Sequence, residues 1–184
     1  MSDPWGFSGM LVIIMAGGRG SRMGGTEKAM LEVCGAPIIE REVEGLSDHW
    51  VIVAASRWSP VTIEWCRRNG VDVVMTSGSD YSTDLGLLMR TVRKPFLVVP
   101  ADMPFAGRAV RNFESAAASM DSSIVTLLVR RGSSTEPVGV SLITRDGSDW
   151  ADLIMEWSPE LMDVDSPEDL SRVNALCGNE LIGD

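Results

Sequence analysis

Residues 16 to 28 read AGGRGSRMGGTEK and concentrate more chemistry than any other stretch of the chain. Five glycines fall within nine positions (Gly17, Gly18, Gly20, Gly24, Gly25). Such a run lets the backbone take positive φ and approach a ligand closely, and its successive exposed N–H groups form an anion-binding nest. Arg19, Arg22 and Lys28 add positive charge. A nucleoside triphosphate is the ligand that this combination suits, because backbone donors fixed in a loop avoid the ordering cost that flexible arginines incur at binding. Two commoner phosphate loops are excluded. The Walker A pattern fails because Lys28 follows Glu27 and precedes Ala29, and the dinucleotide pattern fails because Met23 stands where a third glycine belongs.

A second candidate lies in PFLVVPADMPF (95 to 105), whose only carboxylate is Asp102. Pro100 and Pro104 restrict the backbone on either side of it. A rigid carboxylate just past an apolar strand, opposite a triphosphate loop, suits Mg²⁺, which takes one or two carboxylates plus phosphate oxygens. The alternative is an Asp that caps the next turn. A third candidate is TSGSDYSTDL (76 to 85), where Thr76, Ser77 and Gly78 offer backbone and hydroxyl groups to a base or ribose, although these are also ordinary loop residues. Asp165 reads equally as a second metal ligand or as a turn residue leading into a helix.

These loops need a frame. LVIIM (11 to 15), VIVAA (51 to 55), VDVVM (71 to 75) and FLVVP (96 to 100) are short, β-branched and non-alternating, the pattern of strands buried on both faces of a parallel sheet. Between them lie helical patterns. Residues 37 to 46 put Ile39, Val43 and Leu46 on one face; residues 60 to 69 open on Ser59-Pro60 and stop at Gly70. Residues 83 to 93 carry a stripe of Leu85, Leu88, Met89 and Val92, and Ala109 to Met120 is a weaker helix. Strands at 123 to 129 and 138 to 144 have no long helix between them, so part of the sheet is mixed. Ser166-Pro167-Glu168-Asp169 opens the last helix. This order predicts an α/β, three-layer, doubly wound and mostly parallel sheet, with ligands at the carboxyl ends of the strands. Residues 1 to 9 read as a flexible extension and residues 10 to 184 as a single domain.

Composition narrows the partners. Sixteen Lys and Arg against 26 Asp and Glu give a net charge of −10, which repels a nucleic-acid backbone and confines any phosphate site to a local basic pocket. Only Lys28 and Lys94 are lysines. No apolar run reaches the ~18 residues of a membrane span. Cys34, Cys66 and Cys177 are distant and odd in number, which argues against a disulfide framework and for a cytoplasmic setting. His49 reads as a surface residue without a role. Trp58, Trp65, Trp150 and Trp157 read as partial core or interface, or as the lining of an acceptor surface.

AGGRGSRMGGTEKAML resembles the signature A-G-G-x-G-x-R-M-G-x-x-K of nucleotidyltransferases with a nucleoside-diphospho-sugar transferase-type Rossmann-like fold. The resemblance implies that Ala16, Gly17, Gly18, Arg19, Gly20 and Ser21 wrap the triphosphate, that Arg22 and Lys28 neutralise it, and that Asp102 binds the metal. T-S-G at 76 to 78, EPVGVSLI (136 to 143) and DVDSPEDL (163 to 170) are similar to segments of the archaeal-type GTP:adenosylcobinamide-phosphate guanylyltransferases. Asp80 replaces their glycine, and Ser141 and Asp165 replace asparagines. The Asp-Met-Pro-Phe segment is closer to the molybdenum-cofactor guanylyltransferases, whose Gly-Pro-Leu is absent here and whose Asp-Lys is Glu27-Lys28. The implied activity is transfer of GMP from GTP, with Mg²⁺, to a phosphorylated corrinoid, by a protein that could act as a homodimer. The alternative acceptor is molybdopterin or another small phosphate. A regulator that only binds nucleotide would have little use for Asp102.

Overall fold

In the computed structural model, which describes residues 9–20 and 24–178, the apolar runs become neighbouring strands. β1 (Leu11–Met15) lies between β4 (Trp50–Ala55) and β6 (Phe96–Pro100), parallel to both. β5 (Asp72–Met75) pairs in parallel with β4. On the other side, β8 (Ser134–Ile143) runs antiparallel to β6 and to β7 (Ile124–Arg131), and β9 (Trp150–Glu156) lies parallel to β7. The order is β5-β4-β1-β6-β8-β7-β9. The sheet is mostly parallel and mixed at β8, as the absence of a helix between residues 129 and 138 implied.

Successive residues of β1 point to opposite faces, and both faces are covered. Val12 and Ile14 join the larger core with Ile39, Leu46, Cys66, Val110 and Phe113. These come from α1 (Ile38–Gly45), α2 (Pro60–Asn69), α4 (Gly107–Ala117) and the turn after α1. Ile13 joins Val98 and Phe96 under Leu85, Leu88 and Met89 of α3 (Tyr81–Thr91). Each fully buried side chain of this size contributes about 1.5–3 kcal/mol. A third cluster (Val33, Ile38, Val164, Val173) joins a small hairpin, β2 (Glu32–Val33) and β3 (Ala36–Pro37), to α5 (Pro167–Asn174).

Several expectations are corrected. β5 is an edge strand with Asp72 and Met75 exposed, so it is not buried on both faces. β9 was not anticipated. Its inward residues (Ala151, Leu153, Met155) alternate with outward ones, but Trp150 and Ile154 on the outer face blur the period. Ser59 does stand before α2, yet its hydroxyl does not cap it; it bonds Ser56 instead. His49 is buried, with Asp48 and Glu114 each 2.9 Å from a ring nitrogen. Cys34 and Cys177 form a disulfide that ties the turn of the β2–β3 hairpin to the end of α5. Odd cysteine parity was therefore a poor guide, and the cytoplasmic argument built on it lapses. Among the described residues, no helix is long and apolar enough to cross a membrane. The expected extension, apart from Gly9, lies outside the described residues.

Candidate active site

The site forms where four strands end together. Met15 is level with Ala54 and Pro100, and Ala55 with Met75, so the loops after β1, β4, β5 and β6 leave the same edge. The loops stay in register: Ala16 N–H donates to Ala54 O (2.8 Å) and Thr76 N–H to Ala55 O (2.8 Å). The loops after β1, β5 and β6 enclose a cavity of about 650 Å³ lined by Ala16, Gly17, Gly18, Arg19, Gly20, Lys28, Gly78 and Asp102, among others.

Gly17 is buried while Gly18 and Arg19 are exposed, so the chain turns outward at this point. Gly20 has φ +58°, and a Cβ there would lie 2.0 Å from the Thr26 carbonyl oxygen. Only glycine closes the loop back on residues 25 and 26, where Gly25 N–H donates to Gly20 O (3.0 Å). The Arg19 guanidinium lies 4.8 Å from the centre of the Trp58 ring. Ser21 and Arg22 lie outside the described residues.

The loop after β5 is held by a residue that sequence reasoning missed. Asp84 is buried and accepts hydrogen bonds from Ser77 N–H (2.8 Å), Ser77 Oγ (2.6 Å) and Gly78 N–H (3.0 Å). Gly78 faces the cavity; Thr76 and Ser77 stand behind it, with their hydroxyls on Ala55 O and Asp84. Gly78 has φ +63°, and a Cβ would meet Ser56 Oγ at 2.4 Å. Ser56 Oγ in turn donates to Gly17 O (2.7 Å), joining the two loops. Asp80 lines the cavity and caps α3 by accepting from Thr83 N–H (2.9 Å). The spacing Asp80-x-x-Thr83 at a helix start was the available signal for that cap. Ser141 lies inside the sheet, hydrogen-bonded to Thr126 (3.0 Å).

Lys28, Asp102 and Asp165 converge although 137 positions separate the first from the last. The Lys28 ammonium bonds Asp102 at 2.9 Å and also bonds Asp165. Val164 N–H donates to the Asp102 backbone carbonyl (2.9 Å), so the main chain just past β6 anchors the segment carrying Asp165. Burial alone would lower the Lys28 ammonium, but Asp102 and Asp165 together hold it above its ordinary value. Burial raises Asp102 against the pull of Lys28, and the charges of Asp163 and Asp165 raise it further. Two carboxylates thus bond one ammonium and the Asp163 charge acts on Asp102, an excess of negative charge that favours a further cation. Glu27 secures the other side, accepting from Val61 N–H (2.9 Å), Thr62 N–H (2.7 Å) and Thr62 Oγ (2.7 Å) at the start of α2. The other lysine, Lys94, bonds Met89 O and Asp146, away from the cavity.

Behind Asp102 lies Glu42, another residue that periodicity did not single out. It is 2% exposed on α1, and its Oε1 accepts from Met103 N–H at 2.9 Å. Its Oε2 has no hydrogen-bond partner among the described residues. Burial, together with the nearby Asp102 charge, pushes its carboxyl well above the usual range.

The residues also fit a divalent cation. Asp102 and Asp165 converge on a single positive charge beside a loop of backbone donors, the oxygen set that Mg²⁺ takes next to phosphate. No cluster of three or more His, Cys, Asp or Glu with metal-ligand geometry occurs among the described residues. Phosphate oxygens would have to complete the shell.

Known proteins share the fold that carries this site. Adenosylcobinamide-phosphate guanylyltransferase of Methanocaldococcus jannaschii is 36% identical over 102 residues, 51% of this chain and 52% of its own length. The chain therefore matches about half of that relative. Molybdopterin-guanine dinucleotide biosynthesis protein A from Archaeoglobus fulgidus superposes with a TM-score of 0.69 at 17% identity, over 91% of this chain and 98% of its own. The 4-diphosphocytidyl-2C-methyl-D-erythritol synthase of Anaerococcus prevotii gives 0.67 at 11% identity, over 90% and 94%. At such identities these two show a shared Rossmann-like fold. The family model for the MobA-like NTP transferase domain matches residues 12–161, and the chain belongs to that family.

Proposed function

We propose that the chain transfers GMP from GTP to adenosylcobinamide phosphate, giving adenosylcobinamide-GDP and pyrophosphate. The observation that carries the reading is one cavity bounded by the Gly17–Gly20 loop on one side and by Lys28 and Asp102 on the other. The choice of guanine and of a corrinoid rests on the name of the half-length relative and on the 76–78, 136–143 and 163–170 segments.

Backbone N–H groups of Gly17, Gly18 and Gly20, with Arg19 and Arg22, would hold the triphosphate so that the α-phosphorus faces the acceptor. The acceptor oxygen belongs to a phosphate that is already anionic at pH 7, so no general base is required. It forms the new P–O bond as the α–β bridge breaks, and pyrophosphate leaves with the bridging electrons. Lys28 would stabilise that leaving group, and positioning with charge stabilisation would lower the barrier. Asp102 and Asp165 would hold Mg²⁺, which neutralises phosphate oxygens when bound. Gly78 closes the cavity where the nucleoside would lie.

Purified protein mixed with GTP, ATP or CTP and with adenosylcobinamide phosphate or molybdopterin tests the reading. The expected result is pyrophosphate release with GTP and the corrinoid alone, and a product heavier by one GMP. Release with molybdopterin only would move the acceptor. Retention of GTP without release under all conditions would remove the enzymatic reading.

A further inference from the structure

We propose that Glu42 is a positioning residue for the metal-bound nucleotide, acting through the Asp102–Met103 peptide; this rests on Asp102 being a metal ligand. Glu42 sits on the buried face of α1 between apolar neighbours, Ile38 and Ile39 on one side and Leu46 on the other. A carboxyl group in that place is costly unless a polar partner compensates. Its partner is the backbone N–H of Met103 (2.9 Å), the residue directly after Asp102. Met103 is fully buried and its side chain is part of the same core, so no solvent can replace Glu42 at this N–H.

Around it, Ala101 N–H reaches Met15 O (3.2 Å), Asp102 O receives Val164 N–H (2.9 Å) and Met103 O receives Ala106 N–H (3.1 Å). The bond from Met103 N–H to Glu42 holds the side of the Asp102–Met103 peptide plane opposite Asp102 O. The Asp102 carboxylate is thereby aimed at the Lys28 ammonium, which Asp165 also bonds. An apolar residue would satisfy the packing of α1 but leave the Met103 N–H unpaired. Glu42 is thus explained by the turn it holds.

Four proteins test this: wild type, Glu42→Leu, Glu42→Gln and Glu42→Asp, with Asp102→Asn as control. Free Mn²⁺ is measured by electron paramagnetic resonance in the presence of GTP without acceptor, and thermal melts report folding. Glu42→Leu should weaken Mn²⁺ binding about ten- to a hundredfold, the range for lost partners of metal ligands. Glu42→Gln keeps an acceptor for Met103 N–H and should bind like wild type. Glu42→Asp preserves the acid but shortens its reach, so it should be impaired even if the leucine variant fails to fold. A purely structural Glu42 would lower the melting temperature and leave Mn²⁺ affinity in the folded fraction unchanged; that result, or a glutamine variant as weak as leucine, overturns the inference. Should Asp102→Asn lose Mn²⁺ while Glu42→Leu and Glu42→Asp do not, only the inference falls. Should Asp102→Asn bind normally, the metal role of Asp102 falls and takes the inference with it.

Discussion

Lys28 is the side chain on which the proposed chemistry turns, because it bonds both site carboxylates and lines the same cavity as the glycine loop. Replacing it with alanine should reduce turnover about 10²–10³-fold, the cost of one charge-stabilising donor. Initial-rate measurements of pyrophosphate release check this, and near-wild-type activity would remove the assignment. The residue scale also shows what one-dimensional reading can reach. Gly20, Lys28, Gly78 and Asp102 were legible because residue type and loop position already carry their meaning. Asp84, Ser56 and Glu42 were not, because each earns its place through a partner defined only in three dimensions: Ser56 under Gly17, Glu42 under Met103. His49 was misread for the same reason, since its ring meets Glu114, 65 positions away.

Elements were legible where punctuation is local. α2 begins at Pro60 and ends at a left-handed Gly70, and Ser166 caps α5 by accepting from Asp169 N–H (3.2 Å). The start of α2 nonetheless depends on a distant group, the Glu27 carboxylate. Removing it in Glu27→Ala should cost about 1–2 kcal/mol, as for other lost N-terminal caps. For a chain of this size that is a fall of about 2–4 °C per kcal/mol in Tm, readable by calorimetry. The entry into β9 depends on Asp149, which accepts from Ser123 N–H (2.7 Å) and Ser123 Oγ and is lowered to about 2 by those bonds. A depressed carboxylate contributes stability above its unfolded value of about 3.9, and that contribution disappears as pH falls towards 2. Melting curves of wild type and Asp149→Asn should therefore differ at pH 5 and converge between about pH 4 and pH 2. A gap that persists at pH 2 would contradict the assignment.

For the whole molecule, the parallel core and the edge where its strands end together follow from four apolar runs, whereas the periphery does not. β9 and the β2–β3 hairpin lie at margins where one face meets solvent and the hydrophobic pattern is weak. The disulfide joins residues 143 positions apart, a distance that spacing rules cannot bridge. It yields a chemical signature. Cys66 is fully buried and its thiol is pushed up to about 11 by burial. At pH 8 the native protein should take up no alkylating reagent. Mild reduction should add two labels, at Cys34 and Cys177, and unfolding under reduction should add the third. Mass spectrometry of intact protein and peptides reads the order; early labelling of Cys66 would show that its helix opens in the native state.

The distance in sequence between Lys28 and Asp165 also bears on how the protein is made. A chain emerging from the ribosome at about 5–20 residues per second exposes its glycine loop many residues before Asp165 appears. Until the segment around Val164 docks against Asp102, a nascent chain holds the glycine loop without the second carboxylate. Synthesis itself thus delays the completed charge cluster until the inner strands β1, β4 and β6 are already out.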